Sequence, residues 1–456
     1  MSIFIDRKDE IGLLTNRLKS NKAEFLVIYG RRRVGKTELI NKFLSQKEVK
    51  GIRLLAREES KKLQLKKFAN DLAEFFNDSL LKKSEFKDWD GFFEYLTTKS
   101  NDRIVIALDE FPFLVKEEKA ITSILQDYWD NKLKNSNIFL IICGSSISMM
   151  ESLLGYKSPL YGRRTAQLLL KPLKFGDVIA YIKDIKKSIE LYSVFGGTPA
   201  YLIEADINKN TIQNIEENLT RRDSFIYKDV EFVLRQELIE PRRYFSILLS
   251  IAKGNRKMGL ICNDTGLNKA TVNKYLSVLI DLQLVKRIVP VTENYKSKRG
   301  LYFLADNLFD FWFRFIYPYV DKIESGNIKN LINSEIKPNL SQYIGRHFED
   351  VIIEILDKII KIPFNKIGKW WYKDKEIDIV ATNGQTKQIL FAECKWKDKV
   401  NAEKILVELK NKATYVKWNN NERKEYYAIF AKSFSKKVKD KNIFCYDLKD
   451  LEKIMK

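Results

Sequence analysis

Residues Gly30-Arg31-Arg32-Arg33-Val34-Gly35-Lys36-Thr37 carry the pattern GxxxxGK[ST] in full. The run before it, Phe25-Leu26-Val27-Ile28-Tyr29, reads as a buried strand, and the stretch 36–45 reads as a helix. A glycine-containing loop between strand and helix turns its backbone N–H groups toward phosphate oxygens, and the helix N-terminus adds a favourable dipole. The segment from Gly30 through Arg31, Arg32, Arg33, Val34 and Gly35 is therefore the expected phosphate cradle. Lys36 can reach β- and γ-phosphates, and the Thr37 hydroxyl can ligate a metal. ATP and Mg2+ are the expected cofactors.

Two further apolar runs lie downstream, at 104–108 and 138–143, with helix-like stretches at 61–77 and 119–133. Strands alternating with helices imply a parallel α/β sheet covered on both faces. The second run ends in Asp109-Glu110. An apolar strand delivers Asp109 to the metal at its C-terminal end, where open α/β sheets bind ligands. Glu110 is placed to orient or deprotonate an attacking water.

The composition narrows the chemistry. The chain has 456 residues with a net charge of +21 and a single histidine, His347. One histidine removes Ser-His-Asp and Cys-His catalysis, HExxH proteases and His-based zinc sites. The four cysteines (Cys143, Cys262, Cys394 and Cys445) form no CxxC pair, so neither a disulfide framework nor a zinc ribbon is expected. The N-terminus lacks the apolar stretch of a signal peptide, and no apolar run approaches membrane-spanning length. A cytoplasmic location and no membrane partner are expected. The positive charge suggests a polyanion as partner, although a Lys-rich surface kept for solubility reads the same way.

Phe4-Ile5-Asp6-Arg7-Lys8-Asp9-Glu10 resembles the F-x-G-R-x-x-E opening of AAA+/STAND-type ATPases, with Asp6 where glycine is usual. Cys143-Gly144-Ser145-Ser146 looks like a sensor 1 position, and Tyr161-Gly162-Arg163-Arg164-Thr165 is similar to the arginine-bearing segment of the prokaryotic, mainly archaeal, ATPase family. Gly197-Thr198-Pro199, within Gly196 to Leu202, resembles the GxP lid motif of STAND proteins, which packs near the adenine. The resemblance implies nucleotide contacts for Ser145 and Pro199 and finger roles for Arg163 and Arg164. A finger acts on a neighbouring subunit, so a homo-oligomer is an expected partner. In this family a winged helix and a C-terminal domain of unknown function usually follow.

Residues 259–276 read as helix, turn, helix, with Asn268 as N-cap of the second helix. Leu276, Leu279, Ile280 and Leu284 supply its apolar face. Lys269, Thr271, Asn273 and Lys274 point elsewhere, where a recognition helix needs short polar and basic residues. A hairpin with Lys296, Lys298 and Arg299 at its tip reads as a wing. DNA is the expected nucleic acid, although winged helices also serve as packing modules.

The last region holds Glu376-Ile377-Asp378-Ile379-Val380 and then Phe391-Ala392-Glu393-Cys394-Lys395-Trp396. Strand alternation puts Glu393 and Lys395 on one face, and Asp378 on the preceding strand can join them. Two carboxylates suit Mg2+, and a nearby lysine can polarise a metal-bound water for attack on a phosphodiester. A salt-bridged strand pair without catalysis remains the other reading. The pattern resembles the PD-(D/E)xK nuclease superfamily, with Ile377 in place of the usual proline. That resemblance makes Asp378, Glu393 and Lys395 catalytic and adds Glu349, on the preceding helix, to the metal ligands. His347 reads as a helix-surface or packing residue.

The expected architecture is multidomain α/β. A P-loop parallel sheet (1–172) carries a helical lid (173–238), then a winged helix-turn-helix (239–317), a connection (318–340) and an α/β restriction-nuclease-like domain (341–456). The expected function is ATP hydrolysis acting on DNA, with metal-dependent nuclease activity at the C-terminus. The alternative is an ATP-gated DNA- or protein-binding switch whose nuclease-like domain is inactive.

Overall fold

The computed structural model describes residues 4–5, 7–20, 22–238 and 240–455; Asp6 lies outside the described residues. The chain divides into two compact units, one ending at Pro172 and the other starting at Leu173.

The first unit is built on an all-parallel sheet of β1 (Glu24–Tyr29), β2 (Gly51–Leu55), β3 (Ile104–Asp109), β4 (Ile138–Gly144) and β5 (Ala166–Leu169), in the order β2-β3-β4-β1-β5. Every residue of β1, β3 and β4 is buried. Leu26, Ile28, Ala107 and Ile141 share one side with α1 (Lys8–Leu18) and α2 (Lys36–Leu44) through Leu14, Leu39, Ile40 and Phe43. Phe25 points the other way and meets the Trp129 ring at 5.1 Å. Burial on both faces is why these strands are continuous apolar runs. The edge strands β2 and β5, absent from the expected set, are only half-buried and carry Arg53 and Gln167. Because β1 sits between β4 and β5, the chain leaves it toward the far edge and returns strand by strand. The crossovers therefore part at the C-terminal end of β1, where the phosphate loop lies. Two short helices, α3 (Phe111–Glu117) and α4 (Ile147–Leu154), follow β3 and β4.

The second unit opens with a series of helices between Phe175 and Glu237, including the single turn α5 (Pro199–Leu202). Three helices follow, α6 (Pro241–Lys253), α7 (Met258–Thr265) and α8 (Lys269–Asp281), and then the antiparallel pair β6 (Val285–Ile288) and β7 (Leu301–Leu304). Gly266 turns the chain at φ 68°, and the Asn268 side chain accepts the Thr271 N–H at 2.9 Å. Leu276, Leu279 and Leu284 are buried as expected; Ile280 is half-buried and Val272 takes the remaining core position.

The stretch 318–340 is not an open connection. It forms helical turns that bury Ile323, Leu331 and Ile336 and runs straight into the long helix α9 (Lys337–Ile359). Ile328, Ile332, Ile336 and Leu340 recur every fourth residue, a helical stripe masked by the Lys, Asn and Glu around it.

The last sheet has the order β12-β11-β10-β9-β8, with β8 (Lys366–Tyr372), β9 (Lys375–Asn383) and β10 (Gln388–Lys395) antiparallel. Next, β11 (Lys424–Ala431) and β12 (Ile443–Tyr446) are parallel to β10. Leu406, Leu409 and Ala413 of α10 (Ala402–Ala413) pack on Ile377, Val380, Ile389 and Phe391. Phe348, Val351, Ile352 and Ile355 of α9 are buried, and the Phe348 ring lies 5.2 Å from that of Trp396. Among the described residues, no helix is long and apolar enough to cross a membrane.

Candidate functional site

The phosphate loop is shaped by close backbone approaches. A Cβ at Gly30 would sit 2.3 Å from the Leu170 carbonyl oxygen, so only glycine fits between β1 and the end of β5. Gly35 caps α2 at φ 90°, the left-handed region that glycine enters at little cost. Lys36 is buried and its ammonium donates to the Gly30 and Arg31 carbonyls at 2.8 and 2.9 Å. That holds the positive charge inside the curl. Arg7 braces the loop from outside, donating to Val34 O at 2.9 Å and Lys171 O at 2.7 Å while paired with Glu10 at 3.0 Å.

At the end of β3, the Thr37 hydroxyl donates to Asp109 Oδ2 at 3.0 Å, and Asp109 is 1 % exposed. A hydroxyl and a carboxylate oxygen at this spot fit Mg2+, a hard cation that takes oxygen ligands. The same Oδ2 accepts Arg53 Nη1 at 3.0 Å. Sequence reading missed Arg53, because β2 is too short and too exposed to stand out. Glu110 caps α3 at φ 54°, an unusual conformation for a non-glycine residue. Its Oε2 accepts the Ser145 hydroxyl at 2.8 Å and the Ser145 N–H at 3.2 Å.

The arginine-bearing segment lies elsewhere on this unit. Thr165 pairs with Phe25 at the start of β1, so Arg163 and Arg164 sit at the sheet edge opposite the loop, about 13 Å of strand away. Arg163 donates to Asp130 through Nε and Nη2 at 2.9 and 2.7 Å, and Arg164 donates to the Leu154 carbonyl at 3.3 Å. The Arg164 charge nevertheless acts on the hydroxyl of Tyr29, the residue that precedes Gly30. Pro199 opens α5 in the second unit, and the Thr198 hydroxyl beside it reaches Asp306 Oδ2 at 3.4 Å.

In the C-terminal sheet, Lys395 bridges the two expected carboxylates, with Nζ 2.5 Å from Glu393 Oε2 and 3.6 Å from Asp378 Oδ2. Asp378 also accepts the Cys394 N–H at 2.9 Å. Burial first, and then the charges of Glu349 and Glu393, push the Asp378 carboxyl up to about 7. Burial would raise Glu393 too, but Lys395 and Lys412 outweigh it and hold Glu393 below the usual range; Lys412 Nζ is 2.7 Å from its Oε1. Glu349 on α9 is paired with Lys369 at 2.5 Å, and burial still raises its pKa. The expected three-carboxylate metal set is not assembled: among the described residues, no three Asp, Glu, His or Cys side chains converge closely enough to hold a metal ion. Glu349 and Asp378 line a cavity of about 170 Å³, whereas Glu393 turns toward Lys412 of α10. Asp378 and Glu393 share Lys395, and Lys412 serves Glu393 as well. Lys369 and Lys412 could not be read from the sequence, since each reaches its carboxylate from a separate element.

Of the expected DNA contacts, Lys269, Lys274, Lys296 and Lys298 are exposed and Thr271 is half-buried. Arg299 is exposed too but is already engaged within the chain: it donates to the Trp371 carbonyl at 3.2 Å, pairs with Glu293 and lies over the Tyr372 ring. The β6–β7 loop is thereby fastened to β8, also through Val291 N–H to Lys369 O at 3.0 Å. His347 is buried, its ring 4.5 Å from that of Tyr343 and tilted by 53°, with Nε2 3.2 Å from Asp310 Oδ2.

Residues 4–205 match a family model described as an ATPase domain predominantly from Archaea. Residues 186–303 match a domain of unknown function, and residues 312–405 match a domain of archaeal and bacterial proteins of unknown function. The chain is 38 % identical over 458 aligned positions to the Methanocaldococcus jannaschii protein MJECL04, covering 98 % of this chain and 100 % of that one. It is 50 % identical over 48 residues to the ATP-binding protein MJ0423 of the same organism, covering 10 % of this chain and 81 % of that one. Among solved structures it is similar to the Walker-type ATPase PABY2304 of Pyrococcus abyssi. That match has a TM-score of 0.52 and 20 % identity, and covers 68 % of this chain and 96 % of the other.

Proposed function

The chain belongs to the family of P-loop ATPases, found predominantly in Archaea, that includes MJECL04 of Methanocaldococcus jannaschii. On that premise we propose that this ATPase acts on DNA and cleaves phosphodiesters with a divalent metal at its C-terminal sheet.

In the first unit, Lys36 would hold the β- and γ-phosphates, and Thr37 with Asp109 would hold Mg2+. Bound Mg2+ supplies charge neutralisation on the phosphates. Glu110, fixed by Ser145, orients the attacking water. In the second unit, α6 to α8 with the β6–β7 hairpin form the winged helix-turn-helix, with Lys269 and Lys274 at the start of the recognition helix and Lys296 and Lys298 on the wing.

The observation that carries the cleavage reading is the position of Lys395 between Asp378 and Glu393 on adjacent antiparallel strands. Lys395 is shared by both carboxylates and Lys412 serves Glu393 alone, so Asp378 is the less compensated of the two and the one a divalent cation would neutralise. Calorimetric titration of Mn2+ into the nucleotide-free full chain tests this: wild type should bind an ion that Asp378→Asn does not. Equal binding by both proteins would remove the metal from this site.

A second reading has its own support. Lys369 and Lys412 each neutralise one carboxylate without a metal, as a non-cleaving module would require. The chain would then be an ATP-gated switch that binds DNA or protein.

A further inference from the structure

The cavity beside Asp378 contains a second chemistry that the nuclease residues do not use. Its walls come from opposite parts of the second unit: Arg256 and Phe303 from the helix-turn-helix region, Arg346 and Glu349 from α9, and Glu376 and Asp378 from β9. Arg346 and Glu349 are three residues apart on one helix and so share a face. Arg346 Nε and Nη2 are buried without a hydrogen-bond partner, and so is Nδ1 of His347, a residue only 8 % exposed. Nε and one Nη form the side of a guanidinium that binds an oxyanion with two parallel hydrogen bonds. Leaving such donors unmatched is costly.

Arg256 faces the same space. Its guanidinium carbon lies 4.3 Å from the Phe303 ring centroid, a cation–π contact. Burial and then the charge of Arg346 lower its pKa, as two cations facing one space would. Arg314 is lowered in the same way, again by burial and then by Arg346. Asp310 acts against that lowering on both Arg256 and Arg314, and its Oδ2 also meets His347 Nε2 at 3.2 Å. The cavity walls carry the cations Arg256, Lys286, Arg346 and Lys369 and the carboxylates Asp310, Glu349, Asp350, Glu376 and Asp378, with Lys286 paired to Asp350 and Lys369 to Glu349 and Asp350.

We propose that Arg346 and Arg256 form a phosphate clamp that seats the phosphate of a single nucleic-acid strand beside Asp378. This rests on the reading of Asp378 and Glu393 as a phosphodiester-cleaving site, and it adds the group that would position the substrate. At about 170 Å³ the space takes one phosphate with part of its sugar, not a duplex. The clamp therefore selects a strand end or an unpaired nucleotide. Arg346 and Arg256 are positioning residues.

The test is equilibrium binding to the full chain, in EDTA and again in Ca2+, without ATP. Three probes are compared: inorganic phosphate, a short oligothymidylate with a 5′-phosphate, and the same oligonucleotide without it. The phosphorylated oligonucleotide should bind tightest, and Arg346→Gln should weaken it by about tenfold or more, as expected for losing a buried charge-assisted pair. Arg346→Lys should recover only part of that, since lysine keeps the charge and loses the fork. Arg256→Gln, on the opposite wall, should weaken it as well, and melting curves check that each variant folds. Preference for inorganic phosphate over both oligonucleotides would mean a free-phosphate site and would overturn the strand-end assignment. Phosphate-dependent binding that is the same in wild type, Arg346→Gln and Arg256→Gln would overturn the clamp, even if Asp378→Asn abolishes Mn2+ binding. Arg346-dependent binding in a protein that binds no Mn2+ would keep the clamp and remove the cleavage reading.

Discussion

Ser145 and Glu110 are locked together: the Ser145 hydroxyl and N–H both reach Glu110 Oε2, at 2.8 and 3.2 Å. The two residues follow neighbouring strands β4 and β3, so the pair fixes the acid against the sheet that carries the phosphate loop. Glu110→Gln should bind ATP normally and hydrolyse it about 10²-fold slower or worse, the range for loss of a general base. Ser145→Ala should slow hydrolysis about tenfold with little change in ATP affinity, because one hydrogen bond to a charged group is removed. Steady-state turnover alongside nucleotide titration separates the two effects. Unchanged turnover in Glu110→Gln would remove that residue from the catalytic role.

Lys36→Ala should abolish tight ATP binding, because Lys36 Nζ is the charge held inside the loop by the Gly30 and Arg31 carbonyls. A fluorescent nucleotide titration measures it. An affinity within about twofold of wild type would contradict the phosphate-cradle assignment.

Arg163 and Arg164 precede β5 at the end of the sheet opposite this chain's own loop, and a finger role would act on a neighbouring copy. Arg163 is held by Asp130, and Arg163→Ala should lower the melting temperature while leaving turnover within about twofold; such part-exposed pairs contribute modestly. The Arg164 guanidinium donates to the Leu154 carbonyl at 3.3 Å, a longer and weaker tether than the Arg163 fork on Asp130. Arg164→Ala should hydrolyse slowly, and mixing it with Lys36→Ala protein should restore part of the rate. No rescue on mixing would assign Arg164 to a role within its own subunit.

What was legible in the sequence follows from burial. β1, β3 and β4 are covered on both faces, so they appear as unbroken apolar runs, and the loop residues from Gly30 to Thr37 carry their own spacing. β2 and β5 were not legible, because edge strands expose one side and mix in Arg53 and Gln167. Asp378, Glu393 and Lys395 could be placed together from strand alternation alone. Their neutralisation could not, because Lys369 and Lys412 come from β8 and α10 by tertiary packing. The same holds for Arg299, whose sequence context reads as a wing tip but whose guanidinium meets Trp371 and Tyr372 of β8. Arg256 and Arg346 meet across the cavity only once the helix-turn-helix region packs on α9.

DNA affinity should fall steeply with salt, since each neutralised phosphate releases counter-ions. Replacing Lys269, Lys274, Lys296 and Lys298 with Ala should reduce the slope by about one for each lysine that meets a phosphate. Arg299→Ala should instead destabilise the hairpin's attachment to β8. A slope unchanged by the lysine replacements would make the helix-turn-helix a packing module.

Burial and the charges of Glu349 and Glu393 make the negative charge on Asp378 costly. Asp378→Asn keeps an acceptor for the Cys394 N–H and removes that charge, so in EDTA the variant should melt higher than wild type. A lower melting temperature would show that the charge pair with Lys395 stabilises the fold.

The most direct measurement is plasmid nicking. Supercoiled DNA is incubated with the full chain in Mg2+ or Mn2+, with and without ATP, for wild type, Asp378→Asn and Lys395→Ala. Wild type should convert supercoiled to nicked DNA in a metal-dependent way. Asp378→Asn should lose both metal and cleavage, and Lys395→Ala should keep metal and lose rate. Persistence of supercoiled DNA under every condition, or nicking that survives in Asp378→Asn, would contradict a cleaving site at the C-terminal sheet.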